Sequence, residues 1–264
     1  MAGHHKILII GGGAAGITVA ASLQRHGVAA GDIAIVEPSD THYYQPAFTL
    51  VGAGLFDMDK AHRSTDTVIP PGVTRIAASA STFAPDANSV TLSTGETLTY
   101  DYLVVATGLK LDWDKVEGLS AALGHDGVCS NYSPTHVTYT LDCIKSLKPG
   151  GKAVFTQPPL PFKCPGAPQK IVYLTVDDLK RRGIRDRVDV EYFVHAPVIF
   201  GVPFFARQLV KIAEACGVRI SYQHNLVAVD SKARIATFEI VGGEKQGQRI
   251  QVHFDMLHVS PPQS

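Results

Sequence analysis

Four cysteines stand in the chain, at 129, 143, 164 and 216, and no two form a Cys-x-x-Cys pair. Their spacing fits neither a zinc site nor a disulfide framework, and a reducing setting suits them. Cys164 lies in Lys163-Cys-Pro-Gly-Ala-Pro-Gln-Lys170, just before a helical pattern through Ile171, Leu174 and Leu179. A thiol beside the unpaired amides of a helix start has its thiolate stabilised, and Lys163 adds positive charge. Such a thiolate can attack a sulfur electrophile or carry a persulfide, whereas a buried neutral thiol is inert. Cys143 falls in a helical pattern with Leu141, Ile144 and Leu147, and Cys216 precedes Gly217 at a helix end, so both read as core. Cys129, in Gly127-Val-Cys-Ser-Asn131, stays open between a small core residue and a redox group.

A second constellation is Gly11-x-Gly13-x-x-Gly16, which follows the apolar strand Lys6–Ile10 and opens a helix through Ile17, Ala20, Ala21 and Leu23. The strand Asp32–Glu37 closes the unit with an acid at its end. Gly11 permits the tight turn, Gly13 lets backbone approach a pyrophosphate, and Gly16 permits close helix–strand packing. The helix N-terminus then faces phosphate, and Glu37 can accept a ribose hydroxyl. Glycines that merely turn the chain are the bland alternative, but the small Ala14 and Ala15 at the same turn favour dinucleotide binding. The terminal acid suits NAD or FAD equally. Tyr100-Asp-Tyr-Leu-Val-Val-Ala-Thr107-Gly108 decides for FAD, because flavoproteins with two dinucleotide-type domains carry this strand where the chain passes the flavin a second time. Residues 73–99 before it, with turn signals at Pro85-Asp86 and Thr94-Gly95, read as short antiparallel strands.

The elements that must position these residues make two α/β repeats. Lys152–Thr156 opens the second, where an NAD(P)H-dependent flavoprotein needs another Gly-rich turn. Gln157-Pro-Pro-Leu-Pro-Phe-Lys-Cys164 stands there instead, which argues against a nicotinamide donor. Strands at 188–194, 219–222 and 225–229, a helix at 204–215, and a hairpin of 236–240 with 250–254 complete a second doubly wound domain. The chain is long enough, at 264 residues and 45% hydrophobic content, to bury a core without disulfides. Its 24 basic residues balance 24 acidic ones, which excludes a nucleic-acid binder acting through bulk charge and also excludes a disordered chain. The uncharged run 7–23 is broken by glycines and reads as the dinucleotide turn, with no signal peptide or membrane span. Any membrane contact is then peripheral. His4 and His5 read as a mobile N-terminus, and His258 as a possible proton carrier near the flavin. No histidine has metal-ligand spacing, so no metal is expected.

With these motifs together, the chain resembles the sulfide:quinone oxidoreductase family. The strings that carry the resemblance are His42–Gly54, Val68–Gly72, Ala106–Asp112, Ser130-Asn-Tyr-Ser133, Lys163–Lys170 and Met256-Leu-His-Val-Ser-Pro-Pro262. The resemblance implies two Rossmann-like domains with an antiparallel insertion. Residues 1–115 form the first, 116–150 a linker and connecting helix, 151–254 the second, and 255–264 a return strand toward the first. It implies FAD held by Gly11, Gly13, Ala14, Ala15, Gly16, Glu37, Gln45, Ala80, Thr107 and Gly108. It implies Cys164 as a redox cysteine, with Cys129 matching a third cysteine of some branches. The implied partners are sulfide, a sulfane-sulfur acceptor, a quinone and a second copy of the chain. The implied place is the periphery of a bacterial or mitochondrial inner membrane, through a C-terminal region that also carries the second redox cysteine and lies beyond residue 264. Such a piece alone would be soluble. Rival readings are a type II NADH dehydrogenase, a flavocytochrome sulfide dehydrogenase, or an FAD-binding fragment without turnover.

Overall fold

The computed structural model describes residues 3–264. The chain forms two compact units. One takes residues up to Tyr44 with Asp59–Gly108, and the other takes Gln45–Met58 with Leu109–Ser264.

The first unit is built on β1 (Gly3–Ile10), α1 (Ala14–Arg25) and β2 (Ile33–Val36). Ile7–Ile10 and all of β2 are buried, which suits parallel strands covered on both faces. A short hairpin pairs β3 (Thr41–Tyr43) with β4 (His62–Ser64). Then come β5 (Thr74–Ile76), β6 (Ala80–Ala84), β7 (Ser89–Leu92) and β8 (Thr97–Val105), giving the sheet order β5-β2-β1-β8-β7-β6. β8 runs parallel to β1 and antiparallel to β7. Two readings are corrected here. Thr74–Ile76 belongs to the parallel sheet, on the outer edge of β2, because a long crossover after β2 delivers it in the parallel direction. His4 and His5 are strand residues rather than a loose end, since the long β8 offers Thr99 and Tyr100 as their partners.

The second unit has the sheet order β12-β11-β10-β16-β9, all parallel: β9 is Val128–Cys129, β10 Lys152–Gln157, β11 Asp189–Val194, β12 Arg219–Tyr222 and β16 Met256–His258. The helices are α2 (Phe48–Gly52), α5 (Val137–Ser146), α6 (Ala167–Arg181) and α7 (Pro203–Ala215), while α3 (Thr65–Val68) and α4 (Leu119–Ala122) are single turns, α3 in the first unit. An antiparallel sheet of β13 (His224–Asp230), β14 (Ile235–Ile240) and β15 (Arg249–His253) packs on it, with the Phe193 and Phe238 rings stacked at 4.0 Å.

Two expected bounds change. Residues 256–258 are wholly buried and lie between β10 and β9, so they are a central strand of the second sheet rather than a return to the first domain. Residues 109–115 also go with the second unit, because Lys110 exchanges backbone hydrogen bonds with Ser264 and the Asp112 N–H donates to the Pro262 carbonyl.

Candidate functional site

In the first unit the turn after β1 is tight. The Gly11 N–H donates to the Val36 carbonyl at 2.9 Å, and Gly11 has φ +104°, a left-handed value that favours glycine. A Cβ on Gly11 would collide with the Ala106 carbonyl, and one on Gly16 with the Gly11 carbonyl. Thus Ala106 and Thr107, which follow β8, are brought against the glycine turn, and Gly108 is next in the chain. Gly13 is different. Its φ is −73° and a Cβ there would meet nothing within 4 Å, so neither backbone nor packing demands glycine. It is also the N-cap of α1, no side chain caps that helix, and Ala14 and Ala15 are exposed beside it. An open, uncapped helix start of this kind fits an anionic pyrophosphate. Glu37 Oε2 accepts the Gly12 N–H at 2.7 Å and Oε1 accepts the Ser39 N–H at 2.8 Å. A carboxylate has about four acceptor directions, so two remain for ribose hydroxyls. Ala80 opens β6 at the sheet edge, shortly after Ile76, whose carbonyl accepts the Glu37 N–H.

In the second unit the topologically equivalent turn follows β10. Cys164 is exposed and has φ +58°, uncommon for a residue with a Cβ and a mark of a constrained loop. Its carbonyl accepts the Ala167 N–H at 2.8 Å, which starts α6. The preceding residue is pinned three ways. The Lys163 N–H donates to Gln263 Oε1 at 2.9 Å, the Tyr132 hydroxyl donates to the Lys163 carbonyl at 3.2 Å, and Lys163 Nζ donates to Gln45 Oε1.

Cys164 opens on a cavity of 190 Å³ whose walls include Gln45, Phe48, Thr49, Asn131, Tyr132, Lys163 and Lys170. With a water occupying about 30 Å³ of liquid, this room suits a small ligand and not a dinucleotide. Two lysines and no carboxylate line it. Burial lowers the Lys163 pKa, and Cys164 works against that. Gln45 is therefore gathered with Cys164 in the second unit. A larger hollow of 660 Å³ in the same unit is walled by Asp126, Asp142 and Asp255, and the one thiol on its wall, Cys143, is buried.

Beneath the cysteine loop lies a buried polar network. His258 Nε2 accepts the Asn131 N–H at 3.1 Å, and Thr156 Oγ1 accepts the Ser260 N–H at 3.1 Å. His258 is fully buried, and burial pushes its pKa down to about 3. It is a neutral structural group, which overturns its reading as a proton carrier. Cys129 is also fully buried, and burial together with the Cys143 thiol holds its pKa well above the ordinary thiol value. It does not line the Cys164 cavity. Cys143 is buried as expected of core, while Cys216 is half-buried. Asn131, Tyr132 and Gln263 belong to no catalytic or binding motif in the sequence. Their only mark was membership of the distinctive strings 130–133 and 256–262, or the residue just beyond.

Residues 5–135 match the pyridine nucleotide-disulphide oxidoreductase family. Over 257 residues the chain is 44% identical to the mitochondrial sulfide:quinone oxidoreductase of Dictyostelium discoideum, covering 97% of this chain and 56% of that protein. The corresponding Mus musculus protein is 40% identical over 261 residues, covering 99% of this chain and 57% of that protein. The crystal structure of the sulfide:quinone oxidoreductase of Aquifex aeolicus superposes with a TM-score of 0.79 at 23% identity, covering 98% of this chain and 58% of that one, a likeness of fold. The resemblance thus runs through nearly the whole chain, and the chain spans somewhat over half the length of these relatives.

Proposed function

We propose that this chain, similar to the sulfide:quinone oxidoreductases along nearly all its length, is the part of such an enzyme that binds FAD and carries a reactive sulfur. The observation that carries the reading is Cys164, an exposed thiol on a pinned, left-handed residue, facing a small cavity lined by lysines and free of carboxylates. Such a cavity favours a small anion, and hydrosulfide is one.

The residues divide the work. Gly11, Gly13, Ala14, Ala15 and Gly16 present main chain to the pyrophosphate, Glu37 takes the ribose hydroxyls, and Thr107, with Gly108 next in the chain, lies against the same turn. When bound, FAD supplies a two-electron acceptor. Hydrosulfide attacks the sulfur bonded to Cys164 Sγ in a disulfide or trisulfide. The new S–S bond forms, the old one breaks, and its electron pair leaves on Cys164 as thiolate. Lys163 and Lys170 balance the negative charge in the cavity. Re-forming the Cys164 S–S bond then releases two electrons, which end on a quinone. Cys129, buried and neutral, has no part in this route. The turn after β10 also favours a sulfur donor over NADH, because Pro158, Pro159 and Pro161 stand where a nicotinamide cofactor needs glycines. Among the described residues no helix is long and apolar enough to cross a membrane.

The test is the anaerobic visible spectrum of the purified chain with sulfide and with NADH, repeated for Cys164→Ala. Flavin bands bleached by sulfide but not NADH, with bleaching lost and flavin retained in the variant, are the expected result. Bleaching by sulfide in Cys164→Ala, or by NADH in the parent chain, refutes the proposal.

A further inference from the structure

Asn131 is the unexplained group in the cysteine cavity. It is 5% exposed, and neither Oδ1 nor Nδ2 has a hydrogen-bond partner. Its position is nevertheless fixed. Its own N–H donates to His258, and its side chain lies so close over Gly52 that a Cβ there would collide with Oδ1. A buried amide without a partner is costly, and natural chains keep one where something else completes it. Asn131 lines the same cavity as Cys164 and Lys170. The other lysine of that cavity, Lys163, already donates to Gln45.

We propose that Asn131 is a binding residue for sulfane sulfur: its amide N–H donates to the terminal, anionic sulfur of a persulfide on Cys164, with Lys170 as countercharge. The inference rests on the reading of Cys164 as the reactive thiolate of the proposed sulfur exchange. A persulfide terminus is an anion one sulfur beyond Sγ, so it needs a donor deeper in the cavity than the loop that holds the cysteine. A polar, uncharged donor with no competing partner meets that need, and a buried lysine in its place would be harder to desolvate.

Inorganic polysulfide loads the site without net oxidation. The Cys164 thiolate attacks a sulfane sulfur, a Cys164 S–S bond forms, one polysulfide S–S bond breaks, and the polysulfide leaves shorter by one sulfur with the bond's electron pair. The full chain is treated with sodium polysulfide and desalted, and the persulfide on Cys164 is followed over time by peptide mass spectrometry. Alkylation of Cys164 by iodoacetamide, without polysulfide, reports on fold and access.

The expected result is a persulfide lost about tenfold faster in Asn131→Ala, the effect of one hydrogen bond to a charged group, with alkylation unchanged. Asn131→Ser, which keeps a donor, should fall between. Equal lifetimes in the parent chain and Asn131→Ala overturn the inference and leave Cys164 as sulfur carrier, the amide then facing water alone. Parallel loss of alkylation and persulfide also overturns it, since the role is then structural. A parent chain whose Cys164 takes up no sulfur brings down the underlying reading itself.

Discussion

The chain builds the same strand–turn–helix twice and makes the two turns in opposite ways. After β1 the turn is lined by main chain: Gly11 and Gly16 leave no room for any side chain, and Gly13 leaves room outside the protein. After β10 the turn is lined by side chains. Tyr132, Gln263 and Gln45 converge on Lys163, so that Cys164 is held in a conformation that costs a Cβ something. A phosphate is recognised by many weak amide dipoles and tolerates no intruding methyl. A thiol needs one atom held in place and the charge around it set. In the proposed function one topology serves two chemistries, and the difference lies in whether backbone or side chains face the ligand.

The sharpest way to break this contrast is to put a methyl where the first turn has none to spare. In Gly16→Ala the new Cβ meets the Gly11 carbonyl, which is backbone and cannot swing aside. We expect a loss on the order of 3 kcal/mol, at the upper end for overpacking, together with loss of bound flavin. Urea unfolding and the ratio of flavin to protein absorbance measure both. An unchanged urea midpoint with full flavin content would mean that the turn is looser than its geometry.

What lies under the two turns differs as well. Under the first are the buried apolar side chains of β1 and β2, while under the second is His258 in a polar network. Because Nε2 accepts a hydrogen bond, the proton sits on Nδ1, which has no partner. The folded pKa of about 3 lies below the ordinary value of 6.5, so below pH 6.5 the unfolded chain binds a proton that the folded chain refuses. The stability from the neutral ring is therefore complete above 6.5 and lost as pH falls toward 3. At about 1.4 kcal/mol per pH unit, acidification from 6.5 to 5 should cost about 2 kcal/mol. His258→Gln should flatten that part of the pH–stability curve. Identical curves for parent and variant would show that the ring already titrates normally.

How much of this is legible in the sequence follows from how local each cause is. The first turn is almost wholly legible, because Gly11, Gly13 and Gly16 act within a few residues of each other and Glu37 closes the same βαβ unit. The cysteine loop is legible by contrast alone: prolines and Cys164 occupy a place where glycines belong. Its supports are not legible, because Gln45, Tyr132 and Gln263 reach it from three distant segments, and no period or spacing links them. The same limit explains β16. Met256–His258 has too few residues to reveal which sheet takes it, and the buried gap between β10 and β9 decides. Cys129 is the instructive case. Its string resembles a family position, yet the strand pairing of β9 with β16 buries the residue, which is not among the walls of the cavity.

Gly13 and Gly166 allow the finest comparison, because both open a helix, although Gly13 is extended (ψ −171°) and Gly166 helical (ψ −20°). Each is the N-cap of its helix, each has an ordinary negative φ, −73° and −84°, and neither has a side-chain cap. A Cβ on Gly13 meets nothing within 4 Å, and one on Gly166 meets only Lys170 Cε at 3.9 Å. Alanine at either position should therefore leave stability within about 1 kcal/mol of the parent chain, the N-cap preference and the reduced entropy of the unfolded chain working in opposite directions. The two should part on ligand binding. Gly13→Ala places its methyl where the pyrophosphate approaches, and titration of the apoprotein should give a flavin Kd weaker by about tenfold or more, the scale of a lost close approach. Gly166→Ala should leave both flavin affinity and the polysulfide loading of Cys164 unchanged, since that turn presents side chains to its ligand. Equal flavin affinity in the two variants would mean that the first turn, too, keeps its ligand at side-chain distance, and the distinction between a backbone-lined and a side-chain-lined turn would fall.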